Sequence, residues 1–233
     1  MSTPASRISE NIQRVYGEIA QAARQAQRDP ADVVLIAVSK ATTTECVAAA
    51  IECGIVDFAE NRIAGLDEKL SAFPVAAYPK VNWHFIGSLQ TNKVKHVVGR
   101  VALIHSVDSL HLLEKIDRVA QQKDVVQPVL LQVNISGEAT KHGFVPNDMD
   151  SVIASAAQYK NVKIKGLMTM APVGSLDCAQ DVFWRLSRLS ETLQSHWGDS
   201  VELGELSMGM SGDFVAAVAE GATMVRVGQA LFA

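Results

Sequence analysis

The sequence predicts an α/β protein in which eight parallel strands alternate with helices and close into a single (β/α)8 TIM barrel, preceded by an extra N-terminal helix. Apolar runs of strand length alternate with helical stretches along the whole chain, and eight such runs can be counted. No G-x-G-x-x-G follows the first run, so an open dinucleotide-binding sheet is less well supported. The 233 residues contain no long linker or internal repeat, so we predict one domain over residues 1–233.

The helical segments are recognised by their apolar spacing and by their end signals. The first helix ends at Asp29-Pro30 and has an apolar stripe at the spacing of one helix face. That stripe consists of Ile8, Ile12, Val15 and Ile19. The next helix covers residues 42–54, with threonines near its start and Gly54 at its end. Helices are also predicted over 108–122 and 176–194, and we expect one after each of the first seven strands.

The strands are predicted where apolar, β-branched runs occur between these helices. The first is VVLIAVSK (33–40), whose nearly continuous apolar character is typical of a strand buried on both faces of a parallel sheet. The other seven are predicted at 56–61, 82–87, 101–108, 128–136, 162–170, 201–210 and 223–232.

Composition makes several classes of function and location less probable. The formal net charge is −4 and the chain has no long Lys/Arg cluster, so nucleic acid is not an expected partner. No apolar run reaches the roughly 20 residues that span a bilayer, and the N-terminus lacks the apolar stretch of a secretory signal. The three cysteines have no metal-ligand spacing. We therefore expect a cytoplasmic protein without a metal site.

Lys40 is the first candidate functional residue. In a barrel of this kind, functional groups collect at the carboxyl ends of the strands, and Lys40 directly follows the first one. Partial burial there would favour the neutral amine, which is the form that attacks an aldehyde. The alternative is that Lys40 only ends a strand and extends into water.

The segment SMGMSGD (207–213) is the second candidate. Gly209 and Gly212 allow close approach of the backbone to a ligand, and the turn leads into a predicted helix whose N–H groups favour an anion. Barrels often bind phosphate in the loops after strands seven and eight. The alternative is a glycine-rich loop in which Ser211 or Asp213 caps the helix.

Arg226 lies inside the apolar run TMVRVG and is expected to be buried. A buried guanidinium requires an anionic or accepting partner. That partner is either a bound ligand or an ion pair with Glu60 or Glu205 inside the barrel.

Together these motifs resemble a known family. LIAVSK, FAEN, WHFIGSLQTNK, VNIS followed by KHG, KGLMTM, LSMGMSGD and MVRVGQALF occur in the order found in the pyridoxal phosphate homeostasis proteins, from about residue 33 onward. That family is similar in turn to the barrel domain of alanine racemase. The resemblance implies a barrel of the alanine racemase N-terminal domain type that holds pyridoxal 5′-phosphate (PLP) as a Schiff base on Lys40.

The resemblance also implies a set of residues around PLP. Arg226 would face either the phosphate or the pyridine nitrogen, and Lys141 matches a second family lysine suspected of handling PLP. Where the family has Thr, this chain has Gln229, which has no hydroxyl to donate to the phosphate. The implied cofactor-binding residues are Lys40, Asn61, His84, Met168, Ser207, Met208, Gly209, Met210, Ser211, Arg226, Gly228 and Gln229.

Three functions are compatible with such a site. We expect a PLP carrier that takes part in intracellular vitamin B6 homeostasis, with PLP-dependent apo-enzymes as recipients and no catalytic residues of its own, because no tyrosine follows a strand to act as a second acid–base group. The alternatives are a PLP-dependent amino-acid racemase and a barrel that binds another phosphate compound. Without the second domain of the racemases, a monomer is expected.

Overall fold

The computed structural model describes residues 4–138, 140–172, 174–198 and 201–233. Its eight strands are all parallel and form a closed barrel in chain order, with the last strand paired to the first. Ile36 lies opposite Arg226 at that closing pair of strands. The strands are β1 (Val34–Val38), β2 (Asp57–Glu60), β3 (Asn82–Phe85), β4 (Leu103–Val107), β5 (Gln127–Gln132), β6 (Val162–Met168), β7 (Glu205–Ser207) and β8 (Met224–Val227). The predicted barrel is confirmed.

Helices surround the barrel. They are α1 (Pro4–Gln25), α2 (Thr44–Glu52), α3 (Ile63–Ala72), α4 (Leu110–Gln122), α5 (Met149–Ala156), α6 (Leu176–Trp197), α7 (Phe214–Ala219) and α8 (Gln229–Phe232). Within the described ranges, none of them is both long and apolar enough to cross a membrane.

Some predicted elements differ in detail. The helix expected after β3 is a 3₁₀ helix over Thr91–His96, and the seventh strand, predicted over 201–210, covers only Glu205–Ser207. The eighth strand, predicted to reach residue 232, ends at Val227, and α8 follows at once. The apolar run continued past the strand because α8 also buries an apolar residue, Leu231, against the outer core.

The added helix α1 packs beside the seam where β8 meets β1. Its predicted apolar stripe is buried, and the helix contacts α2, α7 and α8. Asn11 Nδ2 donates to the carbonyl oxygen of Leu231 at 3.1 Å, and Arg14 donates to that of Ala230 at 3.0 Å. The helix therefore ties an early segment of the chain to its last helix.

The apolar residues form an outer and an inner core. The outer core fills the space between the strands and the helices. The inner core, inside the barrel, is small and consists of Ile36, Val38, Ala59, Leu103, Leu130, Met168 and Met224. Four of the buried polar residues, His84, His105, Ser207 and Arg226, lie on the strands and bond to one another in series.

Candidate cofactor site

Lys40 lies just past the carboxyl end of β1, at what we call the carboxyl-terminal mouth of the barrel. The sequence predicted partial burial of this lysine, but the residue is exposed. It lines a cavity of about 380 Å³ together with Thr42 and Glu60. Because β1 is a short strand paired to β8 on one side and to β2 on the other, the position of the Lys40 backbone is set by the barrel wall.

A buried polar network underlies the turn that contains Lys40. Ser39 Oγ donates to Glu60 Oε1 at 2.6 Å, and the buried Lys69 donates from Nζ to the carbonyl oxygen of Thr42 at 2.9 Å. A Cβ on Gly65 would lie only 2.7 Å from Glu60 Oε2, so the glycine leaves room for this carboxyl group. The network was not predicted, because sequence alone did not indicate which helix would cover Glu60.

Glu60 has an unusual titration for a carboxyl group. Burial raises its pKa, while the hydrogen bond from Ser39 and the charge of Lys69 oppose that rise. The folded protein therefore binds this proton more tightly than the unfolded chain does. The contribution of Glu60 to the free energy of unfolding is fully present below its unfolded pKa of about 4.3 and is lost as pH rises through the raised value.

A Glu60→Gln variant should remove this pH dependence. The amide is neutral at every pH and still offers an oxygen to Ser39. We expect the variant to gain stability relative to wild type between pH 4 and pH 7, as measured by urea unfolding at both values. The exposed Glu10→Gln is the matched control and should show a much smaller pH-dependent difference. Parallel stability profiles for Glu60→Gln and wild type would contradict the assignment.

The turn after β7 is held in one shape by its own polar groups. Gly209 has φ +87°, and a Cβ there would lie 2.5 Å from that of Ala217. Asp213 Oδ1 accepts a hydrogen bond from the Met210 N–H at 2.5 Å. Within the described chain, the N–H groups of Ser211 and Gly212 have no hydrogen-bond acceptor. The turn therefore presents free backbone donors at the carboxyl-terminal mouth.

Ser211 joins this turn to the segment after β8. Its Oγ accepts hydrogen bonds from the N–H groups of Gly228 at 3.2 Å and Ala230 at 3.3 Å. A Cβ on Gly228 would approach the carbonyl oxygen of Val38 to 3.0 Å, so this segment also lies against the end of β1. The loops that follow β7, β8 and β1 are therefore neighbours.

Arg226 is buried without an ion-pair partner in the described chain. It is 4% exposed, and it donates to Ser207 Oγ at 2.6 Å and to the carbonyl oxygen of Thr169 at 3.0 Å. The alternative that it pairs with a glutamate is wrong, since Glu60 accepts from Ser39 and Glu205 accepts from Thr223. Burial lowers the pKa of Arg226 to about 10, and the charge of Asp213 opposes this. The guanidinium is therefore a cation at neutral pH whose hydrogen-bond partners are a hydroxyl and a carbonyl oxygen.

The other predicted site residues lie at three different depths. Asn61, Met210 and Gly228 are half-buried at the carboxyl-terminal mouth, and Gln229 is exposed there. Met168 belongs to the inner core, and Met208 belongs to the outer core. These two methionines therefore pack below the mouth.

His84 lies deeper than the sequence implied. It is 5% exposed and lines a cavity of about 260 Å³ with Asp57 and Asn82, the first residues of their strands. This cavity is at the opposite, amino-terminal mouth of the barrel. His84 therefore reaches the carboxyl-terminal mouth only through its hydrogen-bond partners.

Comparison with known proteins identifies the family. The chain matches the family described as alanine racemase, N-terminal domain, over residues 11–233. The pyridoxal phosphate homeostasis protein of Aquifex aeolicus is 39% identical over 226 residues, which cover 96% of each chain. This chain belongs to the pyridoxal phosphate homeostasis protein family. The predicted resemblance is confirmed.

Solved structures agree with this assignment. PipY from Synechococcus elongatus, solved with PLP bound, superposes on this family member with a TM-score of 0.83 at 34% identity, covering 97% of this chain and 100% of that one. Alanine racemase from Clostridium difficile superposes with a TM-score of 0.70 at 16% identity, covering 95% of this chain and 56% of that one. The second comparison shows that the fold is shared.

Proposed function

We propose that this protein binds PLP at the carboxyl-terminal mouth of the barrel, joined covalently to Lys40, and takes part in PLP homeostasis in the cytoplasm. The observation that carries the proposal is the buried cation of Arg226, which has no carboxylate partner among the described residues and lies on the strand next to that of Lys40. A buried charge of this kind is stable only when an anion or several acceptors neutralise it. We take residues 1–233 to form one PLP-binding domain.

The residues at the mouth suit the two reactive features of PLP. When bound, PLP supplies an aldehyde that condenses with an amine and a phosphate dianion that needs hydrogen-bond donors. Lys40 is the exposed amine at the end of β1. The free N–H groups of Ser211 and Gly212 are donors of the kind that bind phosphate, and Asn61 lies at the end of the neighbouring β2.

A carrier is favoured over an enzyme. The relatives are named as homeostasis proteins. A racemase of two-base type needs an acid–base group on each face of its substrate. Tyr16 lies on α1, Tyr159 follows α5, and Tyr78 precedes β3 at its amino-terminal end, so none follows a strand into the carboxyl-terminal mouth. We propose a monomer that passes PLP to apo-enzymes.

A spectroscopic titration tests PLP binding directly. Purified protein freed of ligand, incubated with PLP and separated from unbound PLP, should carry a visible absorption band, and borohydride should bleach that band and fix the cofactor to the peptide that contains Lys40. Pyridoxal, which lacks the phosphate, should bind at least about tenfold more weakly because it cannot accept hydrogen bonds from the N–H groups of Ser211 and Gly212. Equal affinity for the two compounds would contradict the phosphate site, and no band with PLP would refute the function.

Turnover is tested in the same preparation. A carrier should exchange the α-proton of amino acids with deuterated solvent no faster than free PLP does. Exchange well above that background would favour a racemase.

A further inference from the structure

A chain of hydrogen bonds crosses the inside of the barrel from one mouth to the other. His84 Nε2 lies 3.1 Å from Asp57 Oδ1, and His84 Nδ1 lies 2.9 Å from His105 Nε2. His105 Nδ1 lies 2.8 Å from Ser207 Oγ, which accepts from Arg226 at 2.6 Å. We call these five residues the polar chain. They come from β2, β3, β4, β7 and β8, so no apolar layer separates the two mouths along this path.

The two ends of the polar chain determine the direction of every bond in it. Arginine can only donate hydrogen bonds, and an ionised carboxylate can only accept them. With one proton on each imidazole ring, His84 donates from Nε2 to the Asp57 carboxylate, so its Nδ1 accepts and His105 bears its proton on Nε2. His105 Nδ1 then accepts the O–H of Ser207, whose Oγ accepts from Arg226. All donors therefore point from Arg226 towards Asp57.

This direction requires His105 to be neutral. Burial lowers its pKa well below the usual value, and the neighbouring His84 and the cation of Arg226 lower it further. The residue is fully buried, so no solvent competes for its ring nitrogens. A neutral ring with one donor and one acceptor can occupy this position in two tautomers, and with a single proton on His84 only the Nε2–H tautomer of His105 leaves His84 a donor for Asp57.

The Asp57 end of the polar chain is in contact with solvent. Asp57 begins β2, its side chain is 17% exposed, and it lines the amino-terminal cavity. Asn82 Nδ2 donates to the same Oδ1 at 3.0 Å, and Lys165 and Glu205 line the cavity farther round. A substitution at the amino-terminal mouth can therefore alter the orientation of Arg226 through hydrogen bonds that are already formed.

We propose that His84 and His105 are positioning residues of the cofactor site, which fix the Ser207 hydroxyl and through it the guanidinium of Arg226 in the orientation set by Asp57. The proposal rests on the proposed function, since it concerns how Arg226 is presented to bound PLP. It makes the amino-terminal mouth, on the far side of the barrel, part of the determinants of PLP affinity.

The ligand-free protein provides the first test. Nitrogen NMR of the imidazole rings should show His105 neutral, with Nε2 protonated and Nδ1 unprotonated, from pH 6 to pH 8. In Asp57→Ala the acceptor at the end is gone, so the second tautomer should become populated. A wild-type His105 that is protonated on Nδ1 would overturn the proposal, whether or not the protein binds PLP.

Paired substitutions provide the second test. Gln at position 105 can accept from Ser207 through Oε1 and donate to His84 through Nε2, whereas Leu of similar size can do neither. We expect PLP affinity to fall about tenfold in His105→Leu and to stay within about threefold of wild type in His105→Gln. Equal losses of PLP affinity in the two variants would show that His105 only packs inside the barrel and would contradict the proposal.

The far mouth supplies the last comparison. Asp57→Ala should weaken PLP binding several-fold, while Asn82→Ala, which removes a neighbouring bond to the same carboxylate, should not change it. Unchanged affinity in Asp57→Ala would refute transmission through the barrel. If His105→Leu does not fold, the proposal is still tested by the tautomer of His105 in the wild type and by the comparison of Asp57→Ala with Asn82→Ala. A wild type that binds no PLP would refute the proposed function, while the tautomer would still report on the polar chain.

Discussion

Lys40→Ala protein that is mixed with PLP and then separated from unbound PLP should lack the visible band of the wild type and should retain no cofactor after borohydride reduction and denaturation. The side chain of Lys40 is the amine at the end of β1, and alanine offers nothing that can bond the aldehyde. Residual binding would depend on the phosphate donors alone, so we expect affinity to fall by at least about 100-fold, equivalent to about 2.8 kcal/mol. Absorption spectra and equilibrium titration measure both effects.

Two further variants separate chemistry from charge. Lys40→Arg keeps a cation at the mouth but cannot condense with an aldehyde, and it should lose the band as fully as Lys40→Ala does. The exposed Lys80, which precedes β3 at the other end of the barrel, can be changed to Arg as the control and should leave the band unchanged. A band that persists in Lys40→Arg would assign the covalent bond to another lysine.

Gly166→Ala is expected to cause the largest loss of stability. A Cβ at this position of β6 would lie 1.8 Å from the carbonyl oxygen of Glu205 on β7, a distance that no packing adjustment of side chains can relieve. The paired strands β6 and β7 would therefore have to separate. We expect the free energy of unfolding to fall by at least about 3 kcal/mol, as measured by urea denaturation, or the chain to fail to fold.

Gly17 provides a matched control for the same substitution. It lies on the exposed side of α1, and a Cβ there would meet nothing within 4 Å. Gly17→Ala should therefore stabilise the protein by about 0.5–1 kcal/mol through helix propensity. A free energy of unfolding for Gly166→Ala within about 1 kcal/mol of the wild-type value would contradict the close contact between β6 and β7.

The barrel was predictable because its parallel strands are buried on both faces and therefore have a strong apolar signal. The ends of the elements were less predictable. The run that contains β8 continues into α8, and only the turn at Gly228 separates the two. The turn after β7 was identified in the sequence from its glycines, and its geometry agrees with that interpretation at Gly209.

The contacts inside the barrel were not predictable to the same degree. Alternation along each strand places His84 and His105 on the inner face, but the sequence does not specify which strands face each other across the interior. The bond between His105 on β4 and Ser207 on β7 depends on the tilt and closure of all eight strands. The same limit applied to Arg226, whose partners come from two other segments rather than from a glutamate.

The bonds from Asn11 and Arg14 to α8 also bear on how the barrel folds. Asn11 and Leu231 are separated by 220 positions, and β1 pairs with β8, so the seam of the barrel joins segments that are far apart in sequence. Contacts of such long sequence separation form late and slowly. Ser211 and Gly228 meet beside this seam, so the turn after β7 reaches its final shape only when β8 has docked. PLP binding at this turn, as proposed, should then follow barrel closure, and refolding with and without PLP should show the same rate-limiting phase.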